Sequence, residues 1–296
     1  MDRLRESMAE AAQAVEEVIG DLLPEEAGGA ETRVFEAMRY AILNGGKRFR
    51  PFLVLSASRL FNVAERCAFR AAAAVEMVHS YSLVHDDLPS MDDDDLRRGK
   101  PSCHVKFDEA TAILAGDALL TLAFEVLAGD ATHSDPAVRC ELVLGLGGAC
   151  GGQGMVGGQM IDLISEHQAL DIGTISRMER LKTGELIAFS CEAGAILGKA
   201  PRPARHALRA YAHDLGLAFQ IIDDLLDEEG SEADIGKSVG KDAAAGKATF
   251  VSILGPQQAR VQAEMLADQA VQHLDLFEEN ADLLRQVAGF VVERRG

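Results

Sequence analysis

Apolar residues return every three or four positions along nearly the whole chain, and no convincing strand-length run alternates apolar with polar. That period argues against a sheet-based fold and calls for helices that each bury one face against their neighbours. Over residues 3–19 the stripe consists of Leu4, Met8, Ala11, Ala12, Val15, Val18 and Ile19. "PEEAGGAET" breaks it, a second helix runs from Thr32 to Leu43, and the glycines of "NGGKRFRP" end that helix. Further helices are expected over about 52–61, 65–88, 107–128, 136–164, 174–197, 203–228, 247–253 and 256–293, with breakers such as "GDATHSDP", "LGKAPRP" and "EEGSEADIGKSVGKDAAAG" between them. The expected architecture is all-α: one domain over 1–296, about ten helices around a central cavity.

Two segments are almost wholly small or apolar, "FRAAAAVEMVHSYSLVH" and "ELVLGLGGACGGQGMVGGQM". A helix apolar all round belongs inside a bundle. The glycines of the second segment invite a phosphate-loop reading, but no strand precedes them and no Gly-Lys-Ser/Thr follows. Close helix packing explains them better.

Charge narrows the function. The 296 residues hold 29 basic and 47 acidic side chains, a net of −18, which disfavours nucleic acid or an anionic membrane surface as a partner. Five scattered cysteines without metal-ligand spacing read as packing thiols of a reducing cytoplasm. A charged N-terminus without a signal-type stretch, and no run of about 18 uninterrupted apolar residues, lead to the expectation of a cytoplasmic protein without a membrane span.

Against this background two acidic clusters stand out. Asp86, Asp87 and Asp92 form DDxxxxD at the end of a strongly apolar helix, just before Pro89 disturbs it. Asp223, Asp224 and Asp227 form DDxxD after "GLAFQII". Residues i and i+4 share a helix face, so Asp223 and Asp227 project together, and such carboxylates stay ionised only with a cation between them. A solvated acidic loop would not be expected at the ends of apolar helices. A calcium loop would carry alternating Asp-x-Asp-x-Asp-Gly spacing, which neither cluster has. Mg²⁺ binds through a few carboxylates, waters and the oxygens of a phosphate, so the clusters point to a diphosphate clamped by Mg²⁺. Basic residues set among glycines at helix ends agree: Lys47, Arg48 and Arg50; Arg97 and Arg98; Lys182; Lys237, Lys241 and Lys247.

The motifs GGKRFRP (45–51), VHSYSLVHDDLPSMDDDDLRRGKPSCH (78–104), ILAGDALL (113–120), GGQMIDL (157–163), KTGELI (182–187), FQIIDDLLD (219–227) and GKSVGKDAAAGKATF (236–250) run in this order over most of the chain. Together they make it resemble the trans-isoprenyl diphosphate synthases, most closely the bacterial farnesyl diphosphate synthase branch. The resemblance implies a homodimer that condenses isopentenyl diphosphate head-to-tail (1'-4) with dimethylallyl and then geranyl diphosphate. It also implies about three Mg²⁺ per active site, with Mn²⁺ as the alternative. Asp86 and Asp92 would bind two of these ions and Asp223 the third, with Asp87, Asp224 and Asp227 in support. Arg97, Lys182 and Lys237 would grip the allylic diphosphate, with Lys247 nearby. Lys47, Arg50, His79 and Arg98 would form the metal-free isopentenyl diphosphate pocket. Thr183 and Gln220 would turn oxygens toward the allylic cation, and Gln159 and Asp162 would hydrogen-bond within the site. Arg97 and Arg98 are read as ligands of two different diphosphates rather than as counter-ions of the aspartates. The tail residues Arg294 and Arg295 would either fold over the isopentenyl diphosphate site or form an exposed charged end.

Product length is read from the helix below Asp86. Ser82 lies four residues back and Tyr81 five, roughly 7.5 Å down a helix. A phenol there would stop a growing chain after a few isoprene units, which goes with a fifteen-carbon product in the family. Geranylgeranyl or geranyl diphosphate synthesis, a class I terpene cyclase and a non-catalytic subunit remain as alternatives. Lys47, Arg50 and Arg98 argue against the cyclase, and retention of both clusters argues against the subunit.

Overall fold

The computed structural model describes residues 2–24, 28–165, 170–229 and 249–294. Among them the fold is helical, as expected. The helices are α1 (Asp2–Leu22), α2 (Thr32–Ile42), α3 (Phe49–Arg59), α4 (Glu65–Asp86), α5 (Cys103–Lys106), α6 (Glu109–Ala128), α7 (Pro136–Cys150), α8 (Met155–Ser165), α9 (Ile172–Glu179), α10 (Glu185–Leu197), α11 (Arg202–Glu229), α12 (Phe250–Leu254), α13 (Pro256–Gln272) and α14 (Asp282–Glu293). A π-helical turn, Arg180–Gly184, joins α9 to α10, and a 3₁₀ stretch, Asp275–Ala281, precedes α14.

Several boundaries differ from the sequence reading for local reasons. α3 begins before Pro51 because proline is tolerated in a first turn, where its missing N–H has no partner to lose. The expected helix over 136–164 is two helices, broken at Gly151–Gly154, where glycine's poor helix propensity prevails. α6 starts at Glu109 because Asp108 caps it, its carboxylate accepting from the Thr111 amide at 2.8 Å. The expectation of no strand fails in one place. Leu96–Arg97 (β1) and Lys100–Pro101 (β2) pair as a small antiparallel hairpin. Its two turn residues, Arg98 and Gly99, both have positive φ (54° and 74°), as a type I′ turn requires.

The chain falls into two compact units: Arg5–Leu55 with Ala64–Val143, and Met1–Leu4 with Ser56–Val63 and Leu144–Gly296. In the first, α4 packs along α6, and α2 packs on both. The run Ala71–Ala74 is wholly buried, so α4 is apolar all round, as its sequence requires. α6 is the one helix among the described residues long and apolar enough to cross a membrane, but it lies along α4 as a bundle helix would. In the second unit, α11 packs against α10, α13, α14 and the π turn, and α8 packs on the π turn. Glycine permits that last approach. A Cβ on Gly158 would stand 2.6 Å from the Lys182 Cα. A Cβ on Gly145 would stand 2.8 Å from the Phe189 ring, so close packing accounts for both glycines.

Candidate active site

In the first unit, α4 ends at Asp86 and the following loop folds back on it. The Asp92 amide donates to the Asp86 carbonyl at 2.9 Å, and the Asp94 amide donates to the Asp87 carbonyl at 3.2 Å. Asp86 and Asp92 are therefore tied together through the backbone, with Asp92 exposed and Asp86 half-buried. Asp87 turns inward and is 2% exposed. The Arg97 guanidinium donates to it through Nε at 3.0 Å and, more closely, through Nη2, while Asp94 stands 3.6 Å away. Burial opposes the charge on Arg97, but hydrogen bonding to Asp87 and the charges of Asp87, Asp94 and Asp86 outweigh it and raise its pKa. Arg97 is thus paired with Asp87, which the sequence reading did not foresee, because the hairpin returns it to the aspartate that points into the protein.

The basic residues next to this cluster divide into two kinds. Arg48 (φ 46°) is buried, pairs with Glu76 at 2.6 Å and Glu16 at 2.7 Å, and donates to the Ile42 carbonyl at 2.5 Å. It is held in place by structure. Lys47 is exposed, and Arg50 Nη1 lies 3.4 Å from His79 Nε2. Arg98, at the hairpin tip, donates to the Gly45 carbonyl and lies on Gly46, where a Cβ would stand 2.6 Å from its Cζ. Only glycine there (φ 129°) leaves room for the guanidinium. Burial, followed by Arg50, Arg98, Arg97 and Arg48, holds His79 well below the usual histidine range, so it is neutral. In a chain of net charge −18, Arg50 and Arg98 next to one neutral imidazole make a locally basic patch, whereas Arg48 and Arg97 are paired with carboxylates.

Tyr81 is 6% exposed, one helical turn and one residue before Asp86. The Ser82 hydroxyl donates to the His79 carbonyl of its own helix at 2.8 Å, so it turns back along α4.

In the second unit, the π turn presents Lys182 and Thr183. Such turns recur at functional sites, because one inserted residue re-aims the side chains beside it. Lys182 Nζ is 2.5 Å from Asp162 Oδ2. The Thr183 hydroxyl donates to Gln220 Oε1 at 3.2 Å, Gln220 Nε2 donates to Asp224 Oδ1 at 3.1 Å, and Asp224 Oδ2 accepts from the Phe250 amide at 3.3 Å. Asp224 is thus spent on orienting Gln220 and α12, whereas Asp223 and Asp227 are half-buried. Both polar atoms of the Gln159 amide are buried without a hydrogen-bond partner, which fits a residue that awaits a ligand. Arg294 is not an exposed end. Its side chain is 6% exposed, 2.6 Å from Asp223 Oδ1, and its Cζ lies 3.7 Å over the Phe219 ring. Lys237, Lys241, Lys247 and Arg295 lie outside the described residues.

Among the described residues no three His, Cys, Asp or Glu side chains form a ready metal cage. Asp86 and Asp92 in the first unit, and Asp223 and Asp227 in the second, are the cluster carboxylates left at least partly exposed. Oxygen donors of this kind suit a hard divalent ion that completes its shell with water and phosphate oxygens. Neither the hairpin nor the π turn was anticipated, nor the roles of Glu16, Glu76 and Gly158. The only signal for the hairpin was Gly99 after Arg98 inside a charge run, and the π turn has none in the sequence.

The comparisons with known proteins agree with this chemistry. The chain is 46% identical over 268 residues to a farnesyl diphosphate synthase of Escherichia coli, covering 89% of this chain and 90% of that one. It is 42% identical to one of Geobacillus stearothermophilus, covering 95% and 93%. The solved structure of an FPP/GFPP synthase from Zymomonas mobilis superposes with a TM-score of 0.89 at 48% identity, covering 98% of this chain and 99% of that one. A polyprenyl synthetase family model matches residues 31–286, and the chain belongs to that family.

Proposed function

We propose that this chain is a short-chain trans-prenyltransferase that condenses isopentenyl diphosphate with dimethylallyl and then geranyl diphosphate to give farnesyl diphosphate. The observation that carries the reading is Arg50, 3.4 Å from His79, with Arg98 at the hairpin tip that follows the DDxxxxD loop. A second, metal-free diphosphate pocket distinguishes a condensing enzyme from a cyclase. Lys47, Arg50, Arg98 and His79 form it. Asp86, Asp92 and Asp223 would hold the divalent ions, about three Mg²⁺ with Mn²⁺ as the alternative. When bound, these ions supply the positive charge that stabilises the departing diphosphate.

The allylic C1–O bond breaks and the diphosphate leaves with the electron pair. Lys182, charged and aimed by Asp162, donates to the oxygen on which the negative charge grows. Arg97 adds a donor, oriented by Asp87, and Lys237 and Lys247 complete the grip. The oxygens of Thr183 and Gln220 face the allylic cation. C4 of isopentenyl diphosphate bonds to C1, and the proton lost from C2 goes to the released diphosphate. Tyr81 ends the growing chain at fifteen carbons, with Ser82, whose hydroxyl turns back along its helix, beside it. The chain acts as one synthase domain over 1–296 and as a homodimer. The groove between Phe35 and Met38 of α2 and Leu114 and Leu122 of α6 is the apolar face a second copy would cover.

Incubation of the pure protein with isopentenyl and dimethylallyl diphosphates and Mg²⁺ tests the proposal. Farnesyl diphosphate is the expected product, and its loss with a chelator tests the metal. Absence of any product longer than five carbons overturns it.

A further inference from the structure

The His85 ring is held on two sides. Its Nε2 stands 3.0 Å from the Ile113 carbonyl of α6, and since a carbonyl only accepts, Nε2 carries the proton. The Nε2 end of the same ring lies against Gly116, three residues further along α6. A Cβ there would stand 2.5 Å from His85 Cδ2 and nearer still to Nε2, so only glycine admits the imidazole. On its other side the ring meets Tyr81 at a centroid distance of 5.7 Å and an interplanar angle of 80°, an edge-to-face contact. Tyr81, His85 and Gly116 thus form one stack from α4 to α6.

We infer that His85, seated on Gly116, holds the Tyr81 ring in the orientation that ends the prenyl chain, so that His85 and Gly116 are chain-length positioning residues. The inference rests on the reading of Tyr81 as the pocket floor. A floor works only if it resists an apolar chain pressing on it. A tyrosine has two rotatable bonds, and its ring swings aside unless something stops it. The His85 ring is one such stop, where it meets the Tyr81 ring. It cannot retreat toward α6, because the Gly116 backbone is already in contact behind it, and it cannot rotate without giving up its bond to Ile113. The absence of a side chain at 116 is what makes the seat.

The test measures the ratio of twenty- to fifteen-carbon product, with the kcat/KM for geranyl diphosphate alongside, in the full-length protein and four variants. Tyr81→Ala should lengthen the product. Gly116→Ala, which drives the ring from its seat, and His85→Ala, which removes it, should each raise the ratio about tenfold while kcat/KM changes by less. In the double variant the Gly116→Ala effect should vanish, because the added methyl has no ring to displace. His85→Ala introduces no clash and keeps the test open should Gly116→Ala fold poorly. If Tyr81→Ala lengthens the product and the other variants keep the parent ratio, the positioning role is wrong. If Gly116→Ala acts equally with and without the His85 ring, the seat is wrong. If Tyr81→Ala itself leaves the product unchanged, the floor reading has failed instead.

Discussion

Arg294 Nη2 stands 2.6 Å from Asp223 Oδ1, placing a buried guanidinium on the aspartate proposed to hold a metal ion. Arg294 is anchored further by the Phe219 carbonyl at 2.6 Å and by the ring beneath it. Burial lowers its pKa, and Asp223 opposes that shift, so the two groups stabilise each other's charge. A divalent ion at Asp223 must compete with this pair. Asp223 is 42% exposed, so the pair contributes about 1 kcal/mol, a factor of about five in binding. Arg294→Gln should tighten Mg²⁺ binding about fivefold in calorimetric titration without substrate. An unchanged affinity would mean that the pair plays no part in metal binding.

Arg48 and Lys47 are neighbours with opposite assignments, and substitution should separate them. Arg48→Met leaves Glu76, 1% exposed, as an unpaired buried charge and should cost about 3 kcal/mol of stability in urea denaturation. Lys47→Ala, at an exposed position, should move stability by less than about 0.5 kcal/mol and instead raise KM for isopentenyl diphosphate. Equal stability of the two variants would contradict the division.

His79 ties stability to pH. Its folded-state pKa lies well below 6.5, so in that interval the unfolded chain binds a proton that the folded protein refuses. Stability should therefore be flat above about pH 6.5 and fall as the pH drops below it. His79→Gln should lose less stability between about pH 7.5 and 5.5, measured as the urea midpoint. The slope that remains belongs partly to His213, also lowered by burial. A variant with the parent's slope would show that His79 binds its proton alike in the folded and unfolded chain, so that its folded-state pKa is not lowered.

These residues show which parts of the fold and the site could be read from the chain. Helix positions were legible because burial of one face writes a 3.6-residue period into the sequence. The aspartate clusters were legible because carboxylates at the end of an apolar helix need a cation. Individual roles within a charged run were not. Arg48 sits between Lys47 and Arg50, yet a positive φ at one residue sends it into the core to meet Glu76, twenty-eight positions away. Asp87 differs from Asp86 only in pointing inward, and its partner Arg97 returns through a hairpin hidden among charges. Seats such as Gly116 beneath His85 are set by how α4 and α6 meet, which local pattern does not encode.

Gly158 offers the sharpest test of how the second unit aims Lys182. A Cβ at 158 meets the Lys182 backbone, with Cα 2.6 Å away, so no flexible side chain can yield and α8 must shift from the π turn. Overpacking of this kind costs about 1–3 kcal/mol. Because Asp162, on the same helix, aims the ammonium of Lys182, the shift also spoils the donor to the departing diphosphate. A misplacement of about 1 Å can cost about a hundredfold in rate. Gly158→Ala should therefore lower kcat far more than it raises KM for geranyl diphosphate. Gly148 is the control: it lies in α7 with no atom within 4 Å of an added Cβ. Gly148→Ala should raise stability by about 0.5 kcal/mol and leave kcat unchanged. If Gly158→Ala matched that control in both measurements, the close approach of α8 to the π turn would play no part in aiming Lys182.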